Sequence, residues 1–318
     1  MASMRSRPSD QGQPARPEEH ERDPVGYAGA PVNPRWPGGA RVALNFVINY
    51  EEGGEYSIPE GDAVSETYLA EVVWGGALPA GYRLFGAESL YDYGARAGVW
   101  RLCELFKKRR IAGTVFAVGR AVELNPAPVR ALHAAGWEIA SHHYRFINYW
   151  GMPEAQERDH LARAVEAVRK AVGEAPVGFY GGRVSANTRR LAAESRVFQW
   201  ESDAYDDELP YWRSVGGKPY LVIPYQLDCN DFRYAMTPGW TSGEDFFQYL
   251  KNSFDMLYEE GAERPKMMSV GLHPRVSGRP GRAAALARFL DHARARGKAW
   301  ICTRRDIASH WRKHHPPA

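Results

Sequence analysis

Short, almost wholly apolar runs alternate along this chain with longer stretches in which apolar residues return every third or fourth position, and Gly or Pro marks most of the joints. The first run, Arg41 to Asn49, follows Pro37-Gly38-Gly39 and predicts a strand buried on both faces. Helical spacing of Val99, Leu102, Leu105 and Phe106 predicts a helix over 94–109, and 111–118 reads as the second strand. Residues 128–135 fit a helix closed by Gly136, 137–140 a strand, 153–172 a helix ended by Gly173, and 177–180 a strand. A short helix over 188–193 precedes strands at 197–203 and 220–224. Helix 242–260 carries Phe246, Phe247, Leu250, Phe254 and Leu257 on one side; strand 266–272, helix 283–296 before Gly297, and strand 300–302 complete the series. About seven strands alternating with helices predict an α/β fold, a parallel barrel or a doubly wound sheet.

The length of 318 residues suits one large core. Residues 1–22 are rich in Pro, Arg, Glu, Gln and Ser and read as a disordered tail, leaving 23–318 as a single domain. Forty-one Lys and Arg against 38 Asp and Glu leave a net charge of +3, too slight to call for a nucleic-acid partner. Cys103, Cys229 and Cys302 form neither a disulfide framework nor a CxxC motif. With no apolar leader and no apolar run of membrane-spanning length, the expectation is a cytoplasmic protein without a membrane partner.

Four polar clusters fall just after predicted strands: Asn49 to Glu55, His142-His143, Arg183 to Asn187, and His273 to Arg282. In a parallel barrel all strand C-termini open on one face, so groups far apart in sequence converge there. A carboxylate with two histidines points either to a metal site or to acid/base hydrolysis, because both need groups that titrate near neutrality. No HExxH, HxH or CxxC spacing is present, and the adjacent His142 and His143 should point to opposite sides of an extended segment. The acidic loop Asp203, Asp206, Asp207, Glu208 either orients a histidine or is a solvated turn, and Asp228, Asn230 and Asp231 pose the same choice. Gly278-Arg279-Pro280-Gly281-Arg282 either holds a ligand carboxylate or bends the chain into a helix.

Several segments together carry a family resemblance: Asn49-Tyr-Glu-Glu-Gly-Gly-Glu55, Glu88-Ser-Leu-Tyr-Asp-Tyr-Gly94, Trp137-Glu-Ile-Ala-Ser-His142, Gly182-Arg-Val-Ser-Ala-Asn-Thr188, Leu209-Pro-Tyr-Trp212, and Ser269-Val-Gly-Leu-His273 with Gly278 to Arg282. In order and spacing, from about Arg22 to Trp311, they resemble the cofactor-independent bacterial allantoinases, an offshoot of the polysaccharide deacetylases with cyclic-imide hydrolases among their relatives. The resemblance implies a distorted (β/α) barrel of about seven parallel strands, a hydrolase acting on carbon–nitrogen bonds in a small cyclic amide, a homo-oligomer, and no cofactor. Metal-dependent deacetylases offer an Asp-Asp pair and a His-x-x-x-His pair; here those places hold Asn49, Glu51, His142 and Phe146. Where the allantoinases show Ser-His-Gly followed by a Trp and an acidic residue, this chain has His143, Phe146 and Asn148.

On this basis Glu51, His142 and His273 are the expected catalytic residues, with Glu51 activating water and one histidine protonating the leaving nitrogen. The other histidine and Arg183 are expected at the oxyanion, Asn49 at a ring carbonyl, and Asp207 behind a histidine. Glu52, His143, Phe146, Trp212 and Arg282 complete the expected small-molecule pocket. Two alternatives stay open: a zinc-dependent or other metal-dependent N-deacylase of a linear amide or amino sugar, and a non-catalytic small-molecule binding protein.

Overall fold

The computed structural model describes residues 22–71 and 78–317, so the expected tail lies almost wholly outside the described residues. Its framework is one curled, mostly parallel sheet of nine strands among the described residues: β1 (Val42–Tyr50), β2 (Thr114–Ala117), β3 (Glu138–Ser141), β4 (Gly178–Phe179), β5 (Trp200–Glu201), β6 (Tyr211–Val215), β7 (Lys218–Val222), β8 (Lys266–Leu272) and β9 (Ala299–Ile301). Hydrogen-bonded neighbours run β6-β7-β5-β4-β3-β2-β1-β8, and β9 pairs with the first half of β1. All pairings are parallel except β6 with β7. The free edge of β8 meets the segment after β7: Gly271 N–H donates to Cys229 O and Ser269 N–H to Gln226 Oε1, which draws the curled sheet toward closure. The barrel expectation holds, in its distorted form.

Strand β1 is buried at all nine positions, as a strand covered on both faces must be. Period two sorts its side chains. Val42, Leu44, Phe46, Ile48 and Tyr50 pack outward against helices α2 (Val99–Arg109), α4 (Ala127–Ala134), α7 (Gly243–Glu260) and α9 (Pro280–Arg294). Ala43 and Val47 face an interior of Phe116, Tyr180, Trp200, Leu221 and Tyr225. The same inward phase carries Asn45, then Asn49 and Glu51 at the strand's C-terminal end.

Three departures from the sequence reading have local causes. The helix expected over 94–109 begins earlier, as α1 (Phe85–Tyr93), and passes through a π-helical turn at Gly94–Gly98 before α2. At that turn Gly98 lies so close to α8 (Pro274–Ser277) that a Cβ there would stand 2.0 Å from the Pro274 carbonyl. The hairpin β6–β7 turns at Gly216-Gly217, both with positive φ. Beyond β9, helix α10 (Arg304–His314) starts with a capping box between Thr303 and Asp306 and sends Arg304 into the barrel core, where its guanidinium donates to Asn45, Ser269, Ser202 and the Pro224 carbonyl. No helix among the described residues is long and apolar enough to cross a membrane.

Candidate active site

The C-terminal ends of β1, β3 and β8 deliver Glu51, His142 and His273 to one pocket of about 130 Å³, also lined by Asn49, Phe146 and Arg183. Glu51 is the hub. Its Oε1 lies 3.3 Å from His142 Nε2 and 3.4 Å from His273 Nε2, while Oε2 accepts from Arg275 Nη2 at 2.7 Å. All four side chains are at least 95% buried. Burial alone would favour the neutral acid, but the Arg275 guanidinium and the His273 imidazolium outweigh it and hold the Glu51 carboxyl well below the usual range. Such a carboxylate is a weak proton acceptor.

Each histidine is oriented from behind. His142 Nδ1 lies 2.9 Å from the Tyr180 carbonyl, which only accepts, so Nδ1 carries a hydrogen and the ring's Nε2 is turned toward Glu51. His273 Nδ1 donates to Asp231 Oδ1 at 2.6 Å, and Asp231 Oδ2 accepts from the backbone N–H of His273 and Ser277. Burial lowers the affinity of His273 for a proton, yet Glu51 and Asp231 together raise its pKa to about 9. At neutral pH His273 is therefore a cation with its Nε2–H facing the pocket.

Other expected residues lie elsewhere. Asp207 does not reach a histidine; its Oδ1 accepts from the N–H groups of Glu208 and Leu209, and it lies against the segment 22–31, so Asp231 is the residue behind an imidazole. Trp212, in β6, donates its indole N–H to the His315 carbonyl at 2.7 Å. Arg282 pairs with Glu71 and stacks over Tyr234. Glu52 is buried beside the hub, its Oε2 accepting from the Glu51 N–H and its Oε1 3.5 Å from Arg275 Nη1; burial pushes its pKa up to about 7. His143 does point away from its neighbour, but through a left-handed backbone (φ 57) rather than an extended one, and stacks on Tyr149 at 3.8 Å, fully buried behind the pocket. Asn49 turns its amide nitrogen away from the pocket, toward the Tyr225 hydroxyl and the Leu272 carbonyl, so it has no N–H left for a ring carbonyl.

Sequence reasoning missed Arg275, Tyr180 and the roof of the pocket. Tyr68 and Leu69 line the pocket from the long insertion after β1, and Glu66 beside them pairs with Arg183 Nη1 at 2.8 Å. Arg183 also lies 3.9 Å over the Phe146 ring, and its Nη2 is buried without a hydrogen-bond partner among the described residues. The signal for Arg275 was indirect: three carboxylates, Glu51, Glu52 and Glu55, at a buried strand end require a cation.

The family's metal-binding pattern does not fit these residues. Asn49 and Phe146 occupy two of its four ligand places, and the Phe146 ring packs 5.7 Å from His142. Arg275 occupies one oxygen of Glu51. Among the described residues, no group of three or more His, Cys, Asp or Glu is arranged to hold a metal ion.

Residues 88–197 match the family model for polysaccharide deacetylase. A Schizosaccharomyces pombe protein named "Putative polysaccharide deacetylase" is 42% identical over 93% of this chain and 98% of its own length. The crystal structure of a "probable Polysaccharide deacetylase" from Pseudomonas aeruginosa PAO1 superposes with a TM-score of 0.91 at 52% identity, covering 94% of this chain and 100% of that one. The crystal structure of PuuE allantoinase gives a TM-score of 0.91 at 51% identity over 94% of this chain and 99% of that one. Likeness of this extent, in sequence and in fold, establishes that the chain belongs to the polysaccharide deacetylase family.

Proposed function

We propose that this hydrolase opens a small cyclic amide, of the hydantoin or cyclic-imide class, by acid/base catalysis without a metal. One observation carries the reading: two imidazole Nε2 atoms flank a single carboxylate oxygen inside a pocket of about 130 Å³. A cavity of roughly 150 Å³ takes one benzene ring, so the enclosed space suits one small ring better than a stretch of polysaccharide. The likeness to PuuE allantoinase supports ring chemistry from an independent direction.

In this reading, water attacks the ring carbonyl while its proton passes to His142 Nε2. Arg183, whose Nη2 has no hydrogen-bond partner among the described residues, donates to the developing oxyanion. His273 Nε2–H then gives its proton to the departing nitrogen as the C–N bond breaks, leaving a carboxylic acid and an N–H on the opened chain. His142 ends charged and His273 neutral. The proton returns across Glu51, which lies 3.3 and 3.4 Å from the two rings and is stabilised as an anion by Arg275. Glu51 thus holds and links the histidines rather than acting as the primary base.

The test is a turnover screen of hydantoins, cyclic imides, lactams and linear N-acyl compounds, with and without chelator, alongside metal analysis of protein purified without added ions. Ring opening that survives chelation is expected. Turnover confined to linear amides, or stoichiometric zinc lost together with activity, would overturn the proposal in favour of a metal-dependent N-deacylase.

A further inference from the structure

Asn49 lines the pocket beside the two histidines and is only 2% exposed. Its Nδ2 donates to the Tyr225 hydroxyl at 3.2 Å and to the Leu272 carbonyl at 3.3 Å. A carbonyl oxygen cannot donate, so Leu272 fixes which end of the amide is nitrogen, and both N–H hydrogens are engaged. The other end, Oδ1, accepts no hydrogen bond among the described residues.

That orientation is held from outside the amide. The Tyr225 hydroxyl also accepts from Asn230 Nδ2 at 3.2 Å, and its ring packs edge-on against Phe116 and Tyr180 at 5.5 and 5.1 Å. Gly271 makes room for the arrangement, because a Cβ there would stand 2.3 Å from both the Tyr225 hydroxyl and Asn230 Nδ2. Turning the amide over would lose the bond to the Leu272 carbonyl and set the amide oxygen against it, whereas the Tyr225 hydroxyl can serve either end. The amide's two donors are thus spent on the protein, and its oxygen is left as the end free to accept from a bound ring.

We propose that Asn49 Oδ1 recognises a ring N–H, so that the substrates are rings with an unsubstituted imide or ureide nitrogen. This inference rests on the ring-opening reading above and narrows it. An acceptor selects N–H over carbonyl or N-alkyl at that position, and it fixes how the ring presents its reacting carbonyl to His142 and His273.

The experiment compares kcat/KM for hydantoin, 1-methylhydantoin, 3-methylhydantoin, succinimide and N-methylsuccinimide in the wild-type protein and in Asn49→Leu, with melting curves to verify folding. Methylation of the recognised nitrogen is expected to lower wild-type kcat/KM by about 10- to 100-fold. Asn49→Leu should lower turnover of the unmethylated ring by a similar factor and that of the methylated ring less, so that the discrimination between them collapses. Equal wild-type turnover of methylated and unmethylated rings overturns the recognition alone, and this arm stands even if the variant does not fold. So does an equal loss on both rings in Asn49→Leu, the result for an amide that orients the attacking water. Failure of the wild-type protein to open any unmethylated ring overturns the ring-opening reading and the recognition with it.

Discussion

Replacing Asp231 by Asn removes one buried negative charge from behind His273 while keeping the shape of the side chain. Asp231 is wholly buried, and its Oδ1 is 2.6 Å from His273 Nδ1. With charge centres about 4 Å apart and an effective dielectric near 20, the attraction is about 4 kcal/mol, or roughly three pKa units as an upper value; charge pairs of this kind shift pKa by about 1–3 units. The His273 pKa of about 9 should therefore fall into a range of about 6 to 8. In the proposed mechanism His273 is the acid, so its deprotonation would set the alkaline limb of kcat/KM, which reports the free enzyme. The wild-type limb is expected near pH 9 and the Asp231→Asn limb one to three units lower, with activity recovering toward wild-type values as the pH is lowered past the new limb. A loss in Asp231→Asn that is the same at every pH, or a limb that stays in place, would refute the reasoning.

The same shift has a sign in stability. His273 binds its proton more tightly folded than unfolded, from an ordinary value of 6.5 to about 9. Its contribution is fully present below pH 6.5 and is lost as the pH rises through 9, a difference of roughly 3 kcal/mol over that window. Thermal melts across that range should show wild-type stability declining, and Asp231→Asn declining less.

Glu51→Gln should lower kcat at least about 100-fold, and it should also destabilise the fold by roughly 3–5 kcal/mol, because Arg275 is left buried without its main counter-charge. Urea unfolding of Glu51→Gln with Arg275→Met should recover much of the stability and none of the activity; recovery of activity would remove Glu51 from the mechanism. Gly271→Ala should cost about 1–3 kcal/mol and reduce kcat/KM, since its Cβ would strike Tyr225 and Asn230; an unchanged melting temperature would contradict the packing described. Asp207→Asn should leave kcat/KM within about twofold, in contrast to Asp231→Asn, since among the described residues its hydrogen bonds stay within its own loop and its surroundings, the segment 22–31 with Arg213 and Lys266, lie outside the pocket.

What could be read from the sequence follows from the range of the forces involved. Period-two alternation in β1 is local, and it already puts Asn49 and Glu51 on the inward face; strand ends likewise announce His142 and His273. The choice between Asp207 and Asp231 is not local. Both follow strands in acidic loops, and only the passage of residues 226–230 along β8 brings Asp231 to His273. Two misses were legible: Gly216-Gly217 between apolar stretches is a two-residue hairpin signal, and Thr303-x-x-Asp306 is a capping pattern for the last helix.

Arg275 shows most clearly how a sequence can demand a partner without naming it. Glu51, Glu52 and Glu55 fall within one buried turn, and three adjacent anions there would be untenable. The fold resolves this by distributing protons: burial raises Glu52 and Glu55 to about 7, while Arg275 keeps Glu51 ionised. The carboxylate held firmly ionised is the one within reach of both histidines. Swapping the sites of charge, so that Glu52 ionised and Glu51 took the proton, would leave His273 without the anion at its Nε2 and lower its pKa. In the proposed mechanism the acid for C–N cleavage thus depends on a residue 224 positions along the chain from Glu51, fixed by α8 packing against the π-helical turn at Gly98.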